Sequence, residues 1–286
     1  MSLPIHRGPR TIQQHADFWW NAVKSRLARE RQRKLLFISC FPKSGSTYLV
    51  TLMHEITGFP RVHPTEHLGG HEQDFSKREL HAIRHANGVC HQHVKATGFN
   101  LQLANKYGVR PVVLVRNIFD IVPSLRDHFR LESTEFPTGY VPKTFFEMPE
   151  EVQFELIVRT HIPWYFNFLM SWEAAEGSIP MHWLTYEELF QDTAGVASDL
   201  LKFWNVQASD VQLSSAVNRM ASRNTRRNKG VSGRGTALPE WQRSLIVEMC
   251  DACQLNDQTR RRIGIAPRGE PQNDPHSVPT PETVAN

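Results

Sequence analysis

Cysteine is scarce in this chain: four residues in 286, Cys40, Cys90, Cys250 and Cys253. That is too few and too scattered for a disulfide-stapled fold, so a reducing, cytoplasmic setting is expected. Long apolar runs are missing as well. Nothing approaches the roughly 18 consecutive apolar residues that a membrane helix needs, and the opening MSLPIHRGPR holds no apolar stretch followed by a small-residue cleavage site. Neither a membrane span nor secretion is expected. The H-E-x-x-H pair of helical zinc hydrolases and the G-x-x-x-x-G-K-[ST] loop of ordinary triphosphatases are both absent. Charge of one sign is also lacking, since 33 Lys and Arg against 29 Asp and Glu leave only +4. The body of the chain is therefore no general nucleic-acid binder.

What is present is the composition of a soluble globular protein, 40% hydrophobic and 22% charged, with enough apolar residues for a sizeable core. The small net charge hides two basic segments. Residues 1–34 carry eight Lys and Arg against Asp17 and Glu30, and Ile12, Ala16, Trp19, Val23 and Leu27 recur there at helical spacing. The spacing predicts an amphipathic helix over 11–33 with a basic polar face, packed on the body. The second segment holds Arg223, Arg226, Arg227, Lys229 and Arg234 with no acidic residue over 222–235. By charge alone it is either a solvated loop or one that closes over a compact anion.

Lys34 to Cys40 (KLLFISC) reads as a strand buried on both faces, as in a parallel sheet. Further strands are expected at 89–94, 111–115 and 181–185, and helices at about 46–57, 118–131, 150–175, 193–204 and 239–254. This alternation predicts an α/β fold, three layers α/β/α around a central, mostly parallel sheet, with ligands at the C-terminal ends of the strands. Residues 132–149 form a long loop with three prolines and the aromatic residues Phe136, Tyr140, Phe145 and Phe146. Residues 1–265 are read as a single domain. Residues 266–286, with five of the 18 prolines, are read as a disordered tail.

The strongest local signal is Phe41-Pro42-Lys43-Ser44-Gly45-Ser46-Thr47-Tyr48 between the first strand and a helix. Such a loop points backbone N–H groups and the helix dipole at one spot. Gly45 permits close approach, Ser46 and Thr47 add hydroxyls, and Lys43 adds a positive charge, so an anion is the expected ligand.

PKSGSTYL resembles the 5′-phosphosulfate loop of sulfotransferases that use 3′-phosphoadenosine 5′-phosphosulfate (PAPS). Three further segments follow in the family's order. Val112 to Asn117 resembles its strand ending in Arg, with Arg116 and, eight positions on, Ser124 implied to hold the 3′-phosphate. MHWLTYEELF (181–190) resembles its Tyr-Glu strand, with Tyr186 implied to contact adenine. Arg227-Asn228-Lys229-Gly230-Val231-Ser232-Gly233 is similar to its Arg-Lys-Gly-x-x-Gly segment, although Asn228 stands where Arg is usual and Arg234-Gly235 where Asp and Trp are usual. Tyr48 sits where many members stack a Trp on adenine.

The resemblance implies in-line transfer of a sulfuryl group to an acceptor hydroxyl on a glycan, lipid or small metabolite. It implies Lys43 at the bridging oxygen, Lys43, Ser44, Gly45, Ser46 and Thr47 around the phosphosulfate, Tyr48 at the adenine, no metal, and, as in many members, a homodimer. The family's Lys-Thr-His base tripeptide is replaced by Lys95-Ala96-Thr97. If 89–97 is a strand, alternation puts His91, His93, Lys95 and Thr97 on one face, so His93 becomes the first candidate base. Glu72 and His67 are the others. Competing readings are a magnesium-dependent nucleotide kinase, a catalytically inactive nucleotide-binding protein, and a zinc hydrolase using the helical pairs His67/His71 and His81/His85. Cys250-x-x-Cys253 is a single pair in a helical pattern and reads as inert.

Overall fold

Six consecutive buried residues, Leu35–Cys40, form β1. A strand with no polar face needs cover on both sides, and it has it. β1 pairs in parallel with β2 (Gly88–Gln92) on one edge and β3 (Arg110–Val115) on the other, so that Ile38 lies opposite both His91 and Val112. β3 in turn pairs in parallel with β6 (His182–Thr185), which gives the order β2-β1-β3-β6. The computed structural model describes residues 34–65, 72–222 and 232–272. The expected helix over 11–33, His67, His71, and Arg227, Lys229 and Gly230 of the basic segment lie outside the described residues.

Successive strand residues feed two cores. Phe37, Val113 and Val115 face one, and Leu36, Ile38 and Leu114 face the other. The second is covered by α1 (Ser46–Thr57), α8 (Thr193–Phe203) and α9 (Asp210–Ser222) through Leu49, Met53, Leu200 and Met220. The first is covered by α4 (Ile118–Leu131), α5 (Glu150–Thr160), α6 (Ile162–Ala174) and α10 (Glu240–Ala252). The result is the three-layer α/β/α arrangement.

Several elements differ from expectation for local reasons. The helix expected over 150–175 is broken at His161, where the ring of Pro163 fixes φ and removes a donor, so Pro163 opens α6 instead of continuing α5. The strand expected to 94 leaves its ladder after Gln92, because the following backbone bonds to an early loop: His93 N–H donates to the Glu72 carbonyl (3.1 Å) and Lys95 N–H to that of Gln73 (3.4 Å). The in-out alternation nevertheless continues to Ala96. The loop 132–149 contains a short hairpin, β4 (Glu135–Phe136) with β5 (Gly139–Tyr140), and a 3₁₀ turn at Lys143–Glu147. Residues 266–272, assigned to the tail by composition, fold back on the chain: Ala266 N–H donates to Gln272 (2.8 Å) and Gln272 Nε2 to the Gly264 carbonyl (2.9 Å).

Helices absent from the sequence reading carry caps. Ser76 caps α2 (Lys77–Ala82) and Thr97 caps α3 (Gly98–Tyr107). Thr185 and Glu188 form a capping box on α7 (Tyr186–Gln191), Ser209 and Gln212 bond reciprocally at the start of α9, and Asn256 caps α11 (Asp257–Arg262). α2 ends at Ala82, so His81 and His85 do not share one helical face.

Trp172 of α6 ties the helix layer to the end of the β2 segment; its indole is 2% exposed and donates to the Val94 carbonyl at 3.0 Å. Trp172→Ala leaves a large cavity, and the expected loss is about 3–5 kcal/mol in a denaturant melt. A loss under about 1 kcal/mol would contradict this packing.

Candidate active site

The β1–α1 loop is shaped by two left-handed residues, Lys43 (φ 67°) and Gly45 (φ 82°). A non-glycine residue in that region is held there against a steric cost, and this one carries the loop's positive charge. Gly45 has a second reason to lack a side chain: a Cβ would lie 3.0 Å from the Tyr186 ring and 3.2 Å from Phe190. The loop is closed internally, as Ser44 Oγ donates to the Phe41 carbonyl (2.7 Å) and Phe41 N–H to that of Leu114 (2.9 Å). Ser44 is itself fully buried. Ser46 is buried and opens α1, while Thr47 is exposed beside it.

Arg116 leaves the end of β3 and meets three partners at once. It donates to the Lys43 carbonyl (3.2 Å), lies over the Tyr186 ring (4.2 Å to the centroid) and pairs with Asp120 (3.6 Å). The Asp120 carboxylate, 1% exposed, also accepts from the N–H groups of Gly233 (2.9 Å) and Gly235 (2.7 Å). It thereby fixes the chain just after the basic segment. Ser124 is buried one turn further along α4. Tyr48 and Tyr186 both pack on Phe190, with ring centroids 4.9 and 4.4 Å apart. Phe190, absent from the sequence reading, thus joins the two expected adenine contacts. Glu187 accepts from Asn117 N–H at 3.3 Å and so joins the β6 and β3 ends, and burial raises its carboxyl above the ordinary value.

His93 lies under the loop. Its Nδ1 is 2.9 Å from the Cys40 carbonyl, which can only accept, so Nδ1 carries the proton and Nε2 holds a lone pair. Burial lowers its pKa below the ordinary histidine value, and the Cys40 carbonyl and Glu72 oppose this only in part. Nε2 sits 3.8 Å from Glu72, so two of the three candidate bases are neighbours; the third, His67, is outside the described residues. Thr97, aligned with the family's base, accepts from Asn100 N–H as the cap of α3. Burial pushes the Cys40 thiol up to about 12, so it stays protonated.

Sequence reading also missed one face of α4. Beyond Asp120 and Ser124 it presents Asp127, paired with Arg234 (2.7 Å), His128, and at its C-cap Glu132, 3.6 Å from Lys43 Nζ. The residues recur at helical spacing, but an amphipathic reading assigns them only to a polar side. Burial lowers the Lys43 pKa, and Glu132 and Asp127 oppose the shift.

Asp120→Asn puts an amide donor among backbone donors and leaves Arg116 without its carboxylate. A loss of about 2–4 kcal/mol in stability is expected by denaturant titration, and an unchanged midpoint would contradict the anchoring role.

A family model described as a sulfotransferase domain matches residues 33–236, a span that holds every residue above. Among solved structures the fold is similar to mouse sulfotransferase SULT7A1 complexed with PAP, at 19% identity, 80% coverage of this chain and 86% of that one, and a TM-score of 0.60. Retinol dehydratase in complex with androsterone and the inactive cofactor PAP aligns over 77% of this chain and 78% of its own at 14% identity, with a TM-score of 0.45. No curated protein matches the sequence.

Proposed function

From the premise that this chain belongs to the sulfotransferase family, we propose that it moves a sulfuryl group from PAPS to an acceptor hydroxyl, with Lys43 and His93 on the two sides of the transfer. The observation that carries this reading is the convergence of the Lys43–Thr47 loop, Arg116 and His93 at the C-terminal ends of adjacent parallel strands, inside the segment matched by the family. The family match displaces the kinase and zinc-hydrolase readings.

The acceptor oxygen attacks sulfur while its proton passes to Nε2 of His93. As the new S–O bond forms, the bond from sulfur to the bridging oxygen breaks, and its electron pair stays on the departing 5′-phosphate. The Lys43 ammonium stabilises that charge, as do N–H groups of the loop around Gly45 and Ser46. The 3′-phosphate falls to Arg116 and Ser124, with Arg227, Lys229 and Gly230 as the remaining contacts implied by the family. Tyr48 and Tyr186, braced by Phe190, take the adenine. The acceptor belongs to the hydroxyl-bearing class, and Trp164 (6.3 Å between its ring and that of His93) and the hairpin aromatic residues supply apolar cover. The four free cysteines and the lack of any described helix long and apolar enough to cross a membrane are compatible with a cytoplasmic setting.

Calorimetric titration tests the donor site: adenosine 3′,5′-bisphosphate binds without metal and Arg116→Ala abolishes it, whereas preference for ADP with Mg²⁺ would overturn the assignment. Lys43→Ala lowers turnover by about two to four powers of ten, the range for a positioned acid or charge stabiliser; full turnover in the folded variant would remove Lys43 from the mechanism.

The pH profile has a definite sense. The His93 pKa is lowered, so the neutral base survives to lower pH, and kcat/KM falls on the acid side only below the ordinary histidine value. The Lys43 pKa is lowered too, so the alkaline limb lies below the ordinary lysine value. An acid limb above the ordinary histidine value would exclude His93 as base.

A further inference from the structure

α4 ends on a carboxylate, which opposes its own dipole. The C-terminus of a helix carries partial negative charge and favours cations, yet the C-cap is Glu132, its N–H bound to the His128 carbonyl at 2.8 Å. The carboxylate lies between two groups, with Oε1 3.6 Å from Lys43 Nζ and Oε2 3.3 Å from His128 Nδ1.

The two partners are unequal. The His128 ring is 8% exposed and packed on Phe136 (4.2 Å between centroids), and neither of its nitrogens has a hydrogen bond aligned well enough to hold it. The 3.3 Å approach is thus a contact of charge and dipole. Burial and the nearby Lys43 charge both lower the His128 pKa, and Glu132 opposes them. The cation that offsets Glu132 is Lys43, which the backbone presents from a left-handed position.

We propose that Glu132 is a positioning residue for sulfuryl transfer: it holds the Lys43 ammonium in the donor-free enzyme and yields it to the phosphosulfate group when the donor binds. The proposal rests on the assignment of Lys43 to the donor's bridging oxygen. Two anions then compete for one ammonium. Before donor arrives, Glu132 opposes the loss of charge that burial favours at Lys43. After transfer it recaptures Lys43 and assists departure of the bisphosphate product. The carboxylate weakens nucleotide binding and speeds release.

The test is a double-mutant cycle read by calorimetric binding of adenosine 3′,5′-bisphosphate, with melting temperatures confirming folding. Glu132→Gln, which removes the competing charge, tightens binding by about five- to tenfold. Glu132→Asp, which keeps the charge, stays within about twofold of the parent. In a Lys43→Ala background the gain from Glu132→Gln falls below about twofold, because no ammonium is left to release. Unchanged or weaker binding by Glu132→Gln overturns the proposal, and so does a full gain that persists without Lys43, which would mean direct repulsion of the nucleotide. In both of those cases weaker binding by Lys43→Ala alone leaves the assignment of Lys43 standing. If Lys43→Ala changes neither binding nor turnover, the assignment of Lys43 falls first and the role of Glu132 falls with it.

Discussion

The guanidinium of Arg116 holds the proposed donor site together. It touches the carbonyl of Lys43 in the first loop, the face of Tyr186 after the last strand, and the carboxylate of Asp120 on the helix that follows its own strand. Three crossover connections that are distant in sequence are brought to one point by a single planar cation. A lysine could not do this, since it has one charged atom and no flat face to stack while donating sideways. The parallel order β2-β1-β3-β6 makes the geometry available by setting the C-terminal ends of β1, β3 and β6 side by side.

The fold was legible wherever periodicity and punctuation agree. β1 announces itself as a nearly continuous apolar run closed by Pro42, and α1 and α4 match their expected bounds because each follows a loop residue that starts it, Gly45 or Asn117. The short helices were hidden for the opposite reason. Six residues are under two turns and show no stripe, so the signal for α2 and α7 lies only in Ser76-x-x-Glu79 and Thr185-x-x-Glu188. The break at His161 was hidden because aromatic and apolar residues continue through it on both sides; only Pro163 marks it.

In the site, the loop and Arg116 could be read from local sequence, whereas their neighbours could not. Glu72 meets His93 because two backbone hydrogen bonds lay the early loop along the end of the β2 segment, a pairing between residues about twenty apart with no motif to report it. Alternation did put His93 on the partly exposed side of that segment, with His91 and Lys95. It did so although the ladder stops at Gln92, because Val94 and Ala96 remain buried. The departure at Thr97 also has a structural meaning: a residue that caps a helix has its side-chain oxygen committed to a backbone N–H.

The charges around the loop show how a protein keeps a half-buried cluster of cations folded. Like charges crowded into a half-buried cleft repel one another and lose solvation, so a site of bare cations would be costly. Here one helix supplies the opposite charges: Asp120 to Arg116, Asp127 to Arg234 and Glu132 to Lys43. The three differ in depth. Asp120 is buried and bound by two backbone N–H groups, so its charge is part of the scaffold, whereas the Glu132 side chain is 39% exposed at a helix end. On the proposed reading, a donor leaves the first pair intact and displaces the last. In the proposed mechanism that gradient along α4, from fixed to exchangeable, separates the end of the site that must hold the nucleotide from the end where the bond breaks and the product must leave.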